Sequence, residues 1–281
     1  MPRPEPTLAE RARGTLLGLA AGDALARPAG PGATPASPFA AGPALALLLA
    51  DELLEPEVDL RRLADRWIRW LREDGRGIEA GSRAALEHIA EHDSPPGAMA
   101  GPVTADALAR ALPVALATFR SPRNLVSGTW HTVALTHPDP RCAWGAVAVN
   151  VAAARFLSGY RDFISDVIEA LRNNDAPAEL LAAVRRVPVE RREEIVANAR
   201  DAAPVVLCVE YALWAAYHEP ALEPALLRSV AVDGGVESLA ALAGGLLGAR
   251  DGEGALPPAW VAALPRVPHL RAVAERLVGA K

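Results

Sequence analysis

Apolar residues recur along most of this chain at three- and four-residue spacings. Leu45, Leu48, Leu49 and Leu53 fall at i, i+3, i+4 and i+8, and Leu60, Leu63, Trp67, Trp70 and Leu71 repeat the stripe with Arg and Asp between them. Such spacing gathers apolar side chains on one face of a 3.6-residue helix. The same pattern predicts helices near 83–90, 106–118, 143–157, 162–172, 178–187, 193–199, 204–217, 221–230 and 237–248. Alanine, the strongest helix former, fills many of the remaining positions. β-branched residues form no alternating runs, so no sheet is expected. Proline and glycine punctuate between segments, as in "DSPPG", "SPRN" and "THPDP". The reading is an all-α protein of ten or more helices with short connections and no repeat of fixed period. One stretch interrupts it: "RPAGPGATPASPFAAGP", residues 27–43, is read as a loop because proline fixes φ and lacks an N–H.

Bulk properties narrow the class. A chain of 281 residues, 51% hydrophobic, has length for one large domain or two ordinary ones. At that size about 70–75% of the unfolded surface can be buried. Twenty-nine basic against 34 acidic residues give a net charge of −5, which argues against nucleic acid as a partner. The arginine pairs 61/62, 185/186 and 191/192 are interleaved with acids and read as solvated helix surface. Cys142 and Cys208 stand in no C-x-x-C pair, so neither a zinc knuckle nor a disulfide framework is expected. The N-terminus reads poorly as a signal peptide, and the longest apolar run, Leu239–Ala249, is too short to span a bilayer. The expectation is a soluble, cytoplasmic protein with no membrane partner.

Candidate chemistry is sparse. Asp23 is a lone charge in the small-residue run "GLAAGDALARP"; it reads either as a surface or capping residue or as a buried acid orienting a polar site. In "ALTHPDPRCAW", Asp139 is placed to cap the helix that follows, the reading local sequence favours; the other reading has Thr136, His137 and Asp139 face a ligand. His88 and His92 have i, i+4 spacing but lack the H-E-x-x-H order and a third ligand, so a solvated face is expected. "DGGVES", residues 233–238, stands at the mouth of an apolar helix and reads as a cap or an ion loop. No G-x-S-x-G elbow, Walker loop or G-x-G-x-x-G occurs.

In this order, "RARGTLLGLAAGDALARP", "RGIEAGSRAAL", "DALARALPVAL", "LTHPDP" and "VDGGVESLAALAGGLLGARDGEGALPPAWVAAL" resemble the motifs of the ADP-ribosylglycohydrolase family. The resemblance covers residues 10–264 and implies a single compact all-α domain over 1–281. It also implies two magnesium or manganese ions and cleavage of ADP-ribose from proteins or small acceptors. Hard cations want oxygen ligands, mostly carboxylates. Where the family has Thr-Asp-Asp-Thr, this chain has Ala40, Ala41, Gly42 and Pro43; a family Glu falls on Gly30, and a family Asp on Gly235 or, in another register, Val236. Asp51 and Glu52 lie roughly 13 Å along the helix, too far to substitute. The glycine-rich central motif here reads Thr104-Ala105-Asp106-Ala107-Leu108-Ala109-Arg110, with Asp106 set to repel a diphosphate.

The resemblance with these departures implies a catalytically inactive relative, a binding or scaffold module for a protein partner or an ADP-ribose-like molecule, with no metal cofactor. Asp23, Arg110, His137, Gly234, Gly235 and Ser238 are the expected ligand contacts, and Asp233 and Glu237 the weak metal candidates. An active hydrolase with a remodelled site would use Glu237 as ligand or base, with Asp23 and His137. A purely structural role is the third reading.

Overall fold

A computed structural model describes residues 4–27, 39–96, 103–198, 203–232 and 237–279. Gly30, Asp233, Gly234, Gly235 and Val236, and most of the proline-rich stretch, lie outside these residues. Sixteen α-helices and one 3-10 turn, with no strand, make up the regular structure of the described residues. In chain order the first eight are α1 (Leu8–Ala26), α2 (Ala41–Glu52), α3 (Leu60–Glu73), α4 (Ala80–His92), α5 (Asp106–Arg110), α6 (Leu112–Thr118), α7 (Pro122–Ala134) and α8 (Pro140–Leu157). They are followed by α9 (Ile164–Arg172), α10 (Ala178–Arg186), α11 (Arg192–Asn198), α12 (Pro204–His218), α13 (Leu222–Val230), α14 (Glu237–Asp251), α15 (Pro258–Ala263) and α16 (Val267–Gly279). No described helix is long and apolar enough to cross a membrane.

The centre of the fold is α1 packed antiparallel on α14. Gly14 faces Gly248, Gly18 faces Gly244 and Gly22 faces Ala240, so three steps of four residues bring the two backbones together. A Cβ at any of the three α1 glycines would run into a carbonyl of α14. α8 and α12 pack against this pair. Their buried residues join those of α5 and α6 in one large apolar cluster. A second cluster lies under α2, α3 and α4, around Leu45, Leu63, Trp67 and Leu86.

Arginine side chains close several helix ends, whose last carbonyls have no partner within the helix. Arg11 donates to the carbonyls of Ala249 and Arg250 at the end of α14. Arg250 donates to those of Ala216 (2.8 Å) and Glu219 (2.7 Å) at the end of α12, and Arg120 to that of Val278 (3.0 Å) on α16. At the other end of the chain, Thr7 and Glu10 form a reciprocal capping box for α1.

Four sequence expectations change. The stretch 106–118 is two helices, separated at Ala111, because Pro113 has no N–H to continue the ladder. Helices α7, α15 and α16 lie outside the stretches whose apolar spacing predicts a helix, and Pro122, which reads as punctuation, stands instead in the first turn of α7. Gly42 and Pro43 lie not in the loop but in the first turn of α2, where a missing proline N–H costs nothing. The arginine pairs are not uniformly solvated. Arg62 forks onto the fully buried Glu52, and Arg186 forks onto the buried Glu210 at 2.8 and 2.7 Å, tying α3 to α2 and α10 to α12.

Candidate functional site

One corner of the site is the junction of α1 with α2. Asp23, buried near the end of α1, accepts from Arg27 Nη2 at 2.5 Å and from the backbone N–H of Ala40 at 3.4 Å, both on Oδ2. Arg27 also donates through Nε to the carbonyl of Asp23 at 3.2 Å. The start of α2 has no cap of its own, so the Asp23 carboxylate stands at its positive end. A Cβ at Gly42 would lie 3.5 Å from Asp23 Oδ1, an ordinary contact. Gly77, at positive φ, passes directly over the methyl of Ala40.

Two residues past Gly77, Glu79 leads into α4. Its Oε1 accepts from Ser238 Oγ at 2.8 Å. Burial pushes the Glu79 carboxyl above the usual range, nearby Asp106 pushes it further, and the hydroxyls of Ser238 and Thr104 oppose both. Ser238 is therefore no helix cap: α14 begins at Glu237, and the Ser238 hydroxyl is spent on Glu79. The side chain of Glu237 lies outside the described residues.

Behind Glu79 lies a buried polar network centred on Asp106 and Arg110, one turn apart on α5. Asp106 Oδ2 accepts from Ser82 of α4 and, at 3.4 Å, from Arg110 Nη1. Asp106 Oδ1 accepts from Thr104 at 2.9 Å and meets His137 Nε2 at 2.9 Å. Arg110 donates to Ser82 at 2.9 Å, to Thr136, and to His137 Nδ1 at 3.3 Å. His137 Nδ1 accepts there, which puts the ring proton on Nε2, toward Asp106 and Thr104. The Arg110 guanidinium also lies 5.1 Å from the Trp67 ring centroid. Burial raises the Asp106 carboxyl, but His137 and Arg110 beside it outweigh burial and hold it far below the usual carboxylate range. Burial likewise lowers the Arg110 guanidinium. Asp106 is thus compensated from within the protein rather than presented as a bare negative charge.

The structure brings Arg110 and His137 into one network and sets Ser238 beside it through Glu79; Asp23 sits at the neighbouring α1–α2 corner. Asp139 caps α8 through the N–H of Arg141 at 2.8 Å. His88 and His92 stack on each other at the partly exposed edge of α4. Glu79 and Ser82 stand in the sequence only as members of "RGIEAGSRAAL", and Thr104 only as a position of the altered glycine-rich motif. Glu79 stands in a turn before a helix, and nothing local marks it until α14 delivers Ser238.

The model of the ADP-ribosylglycohydrolase family matches residues 4–281. The chain belongs to that family. An ADP-ribosylarginine hydrolase, Tri1, of Pseudomonas putida (strain GB-1) is 26% identical over 98% of this chain and 79% of its own length. A solved structure described as an ADP-ribosylglycohydrolase-related protein complex matches with a TM-score of 0.80 at 25% identity, over 97% of this chain and 98% of its own. For this ADP-ribosylglycohydrolase family chain, the two-ion centre has to be tested against the residues present. At the start of α2 they are two methyl groups, a glycine and a proline, and the adjacent carboxylate, Asp23, is already held by Arg27. Among the described residues no group of three or more His, Cys, Asp or Glu side chains is disposed to hold a metal ion. The described residues do not fit two hard cations.

Proposed function

We propose that this chain is a non-hydrolytic member of the ADP-ribosylglycohydrolase family that serves as a binding or scaffold module, for an ADP-ribose-like molecule or a protein partner. The observation that carries this reading is the α1–α2 corner. Ala40 and Ala41 offer no oxygen from their side chains, and Asp23 is engaged by Arg27 and the Ala40 N–H. Activation of water by a metal pair needs carboxylates free to bind the metal.

The alternative, a remodelled hydrolase using Asp23, His137 and Glu237, draws less support. His137 is buried, and both its ring nitrogens are engaged by Thr104, Asp106, Thr136 and Arg110. A general base must be able to reach the proton it abstracts.

The test is release of ADP-ribose from ADP-ribosylated arginine in magnesium or manganese, beside calorimetry of ADP-ribose with and without magnesium. The expected result is no turnover, with binding that is either independent of magnesium or absent. Metal-dependent turnover overturns the proposal. Absent binding directs the search for ligands to proteins.

A further inference from the structure

We infer that Arg27 is a tethered cation occupying the electrostatic place of a divalent ion at the α1–α2 corner, which makes that corner complete without metal. The inference rests on the absence of the two-ion centre proposed above and assigns the residue that replaces its charge. Asp23 is mostly buried, and a buried carboxylate without a positive partner is strongly unfavourable. Here the partner is supplied one turn away on the same helix: Arg27 Nη2 meets Asp23 Oδ2 at 2.5 Å, and the side chains are 17% and 11% exposed. The Ala40 N–H and the positive end of α2 converge on the same oxygen. A guanidinium and a divalent ion answer the same need at a carboxylate, but the guanidinium is covalently attached and its occupancy does not depend on ion concentration. Asp23 therefore persists as an acid although the oxygen ligands expected at 40–43 are methyls, a glycine and a proline.

Among the described residues the corner has room to reverse the substitution. A Cβ at Gly42 would start 3.5 Å from Asp23 Oδ1 and meet no described backbone outside its own helix, and an acid there lies in the favourable first turn of a helix. Gly42→Asp thus sets a second carboxylate beside Asp23 and leaves Arg27 to serve both. Removing Arg27 in that background takes away the guanidinium that meets Asp23 Oδ2 and leaves two acids at the corner.

The experiment compares thermal unfolding of the full chain, Gly42→Asp, Arg27→Ala/Gly42→Asp and Asp23→Asn/Arg27→Ala/Gly42→Asp, each titrated with millimolar manganese. Wild type and Gly42→Asp are expected to show no manganese-dependent change in Tm. Arg27→Ala/Gly42→Asp is expected to melt lower in its absence and to regain about 5 °C or more on titration. The triple variant, with one acid neutralised, is expected to lose that response. A double variant that ignores manganese overturns the inference, as does a Gly42→Asp protein that responds as strongly with Arg27 in place. If the double variant does not fold, its refolding yield with and without manganese is read instead, and a yield that manganese leaves unchanged overturns it. A wild-type chain that itself binds two manganese ions or turns over ADP-ribosylarginine defeats the parent proposal. A silent wild type with a silent double variant defeats this inference alone.

Discussion

Gly18 and Gly244 face each other across α1 and α14 so closely that a Cβ on either would run into the other's carbonyl. The obstacle is backbone on both sides, so neither helix can yield by rotating a side chain. Gly18→Ala is therefore expected to cost about 2–3 kcal/mol, although alanine is the better helix former. Gly254→Ala, where an added Cβ meets nothing within 4 Å among the described residues, is expected to stay within about 0.5 kcal/mol of wild type. Urea unfolding of the two variants checks the contrast, and equal losses would refute the close-approach account.

That pairing shows which parts of the fold were legible in the chain. The small-residue run "GLAAGDALA" is plain in the sequence and allows close helix approach, but nothing in the sequence names α14 as the partner. The stripe of α3 was legible because that helix buries one face, with Leu63 and Trp67 inward and Arg61 and Arg69 outward, whereas α2 is buried nearly all round, Leu47 off its stripe included. α7 was not, because its apolar positions are diluted by Ser, Thr, Gly and His and its opening proline reads equally as a break. In the site, Arg110 and His137 were legible as chemistry-bearing residues. Their shared partner Asp106 was read as a charge facing a ligand, whereas tertiary structure turns it inward onto both of them.

Asp106→Asn is expected to cost about 3–5 kcal/mol, because it leaves the buried Arg110 without its carboxylate. The pH dependence has a definite sign. Asp106 titrates far below its unfolded value, so its stabilisation is fully present above the ordinary aspartate range and is lost as pH falls through and below that range. Wild type should lose stability on acidification through pH 4 more steeply than Asp106→Asn, in parallel chemical unfolding series. Parallel slopes would contradict the assigned compensation.

Cys142 and Cys208 are both buried, and burial raises the Cys142 thiol to about 12 and the Cys208 thiol higher still. The thiolate is the reactive form. Neither cysteine is expected to react with a disulfide reagent at neutral pH in the folded protein, and both are expected to react in denaturant. Fast labelling of the native chain would show that the α8 or α12 core opens readily. Cys142, which donates to the Thr104 carbonyl at 3.5 Å, would then be reporting motion at the polar network.

Glu79→Gln separates the two roles that its position allows. The Glu79 carboxyl is raised by burial and by Asp106, so the folded state favours its protonated form. Its contribution to stability is greatest at low pH and is lost as pH rises through the unfolded value toward the raised one, the opposite sign to Asp106. Gln cannot ionise and retains an oxygen to accept from Ser238. Above that window Glu79→Gln is expected to be more stable than wild type, and below it the two should converge. Unfolding free energies across the pH range check this. A variant that is less stable at neutral pH would mean that the ionised carboxylate is stabilised by a partner other than the Ser238 hydroxyl, and Glu79 would then stand as a functional anion of this corner rather than a buried acid held by that hydroxyl.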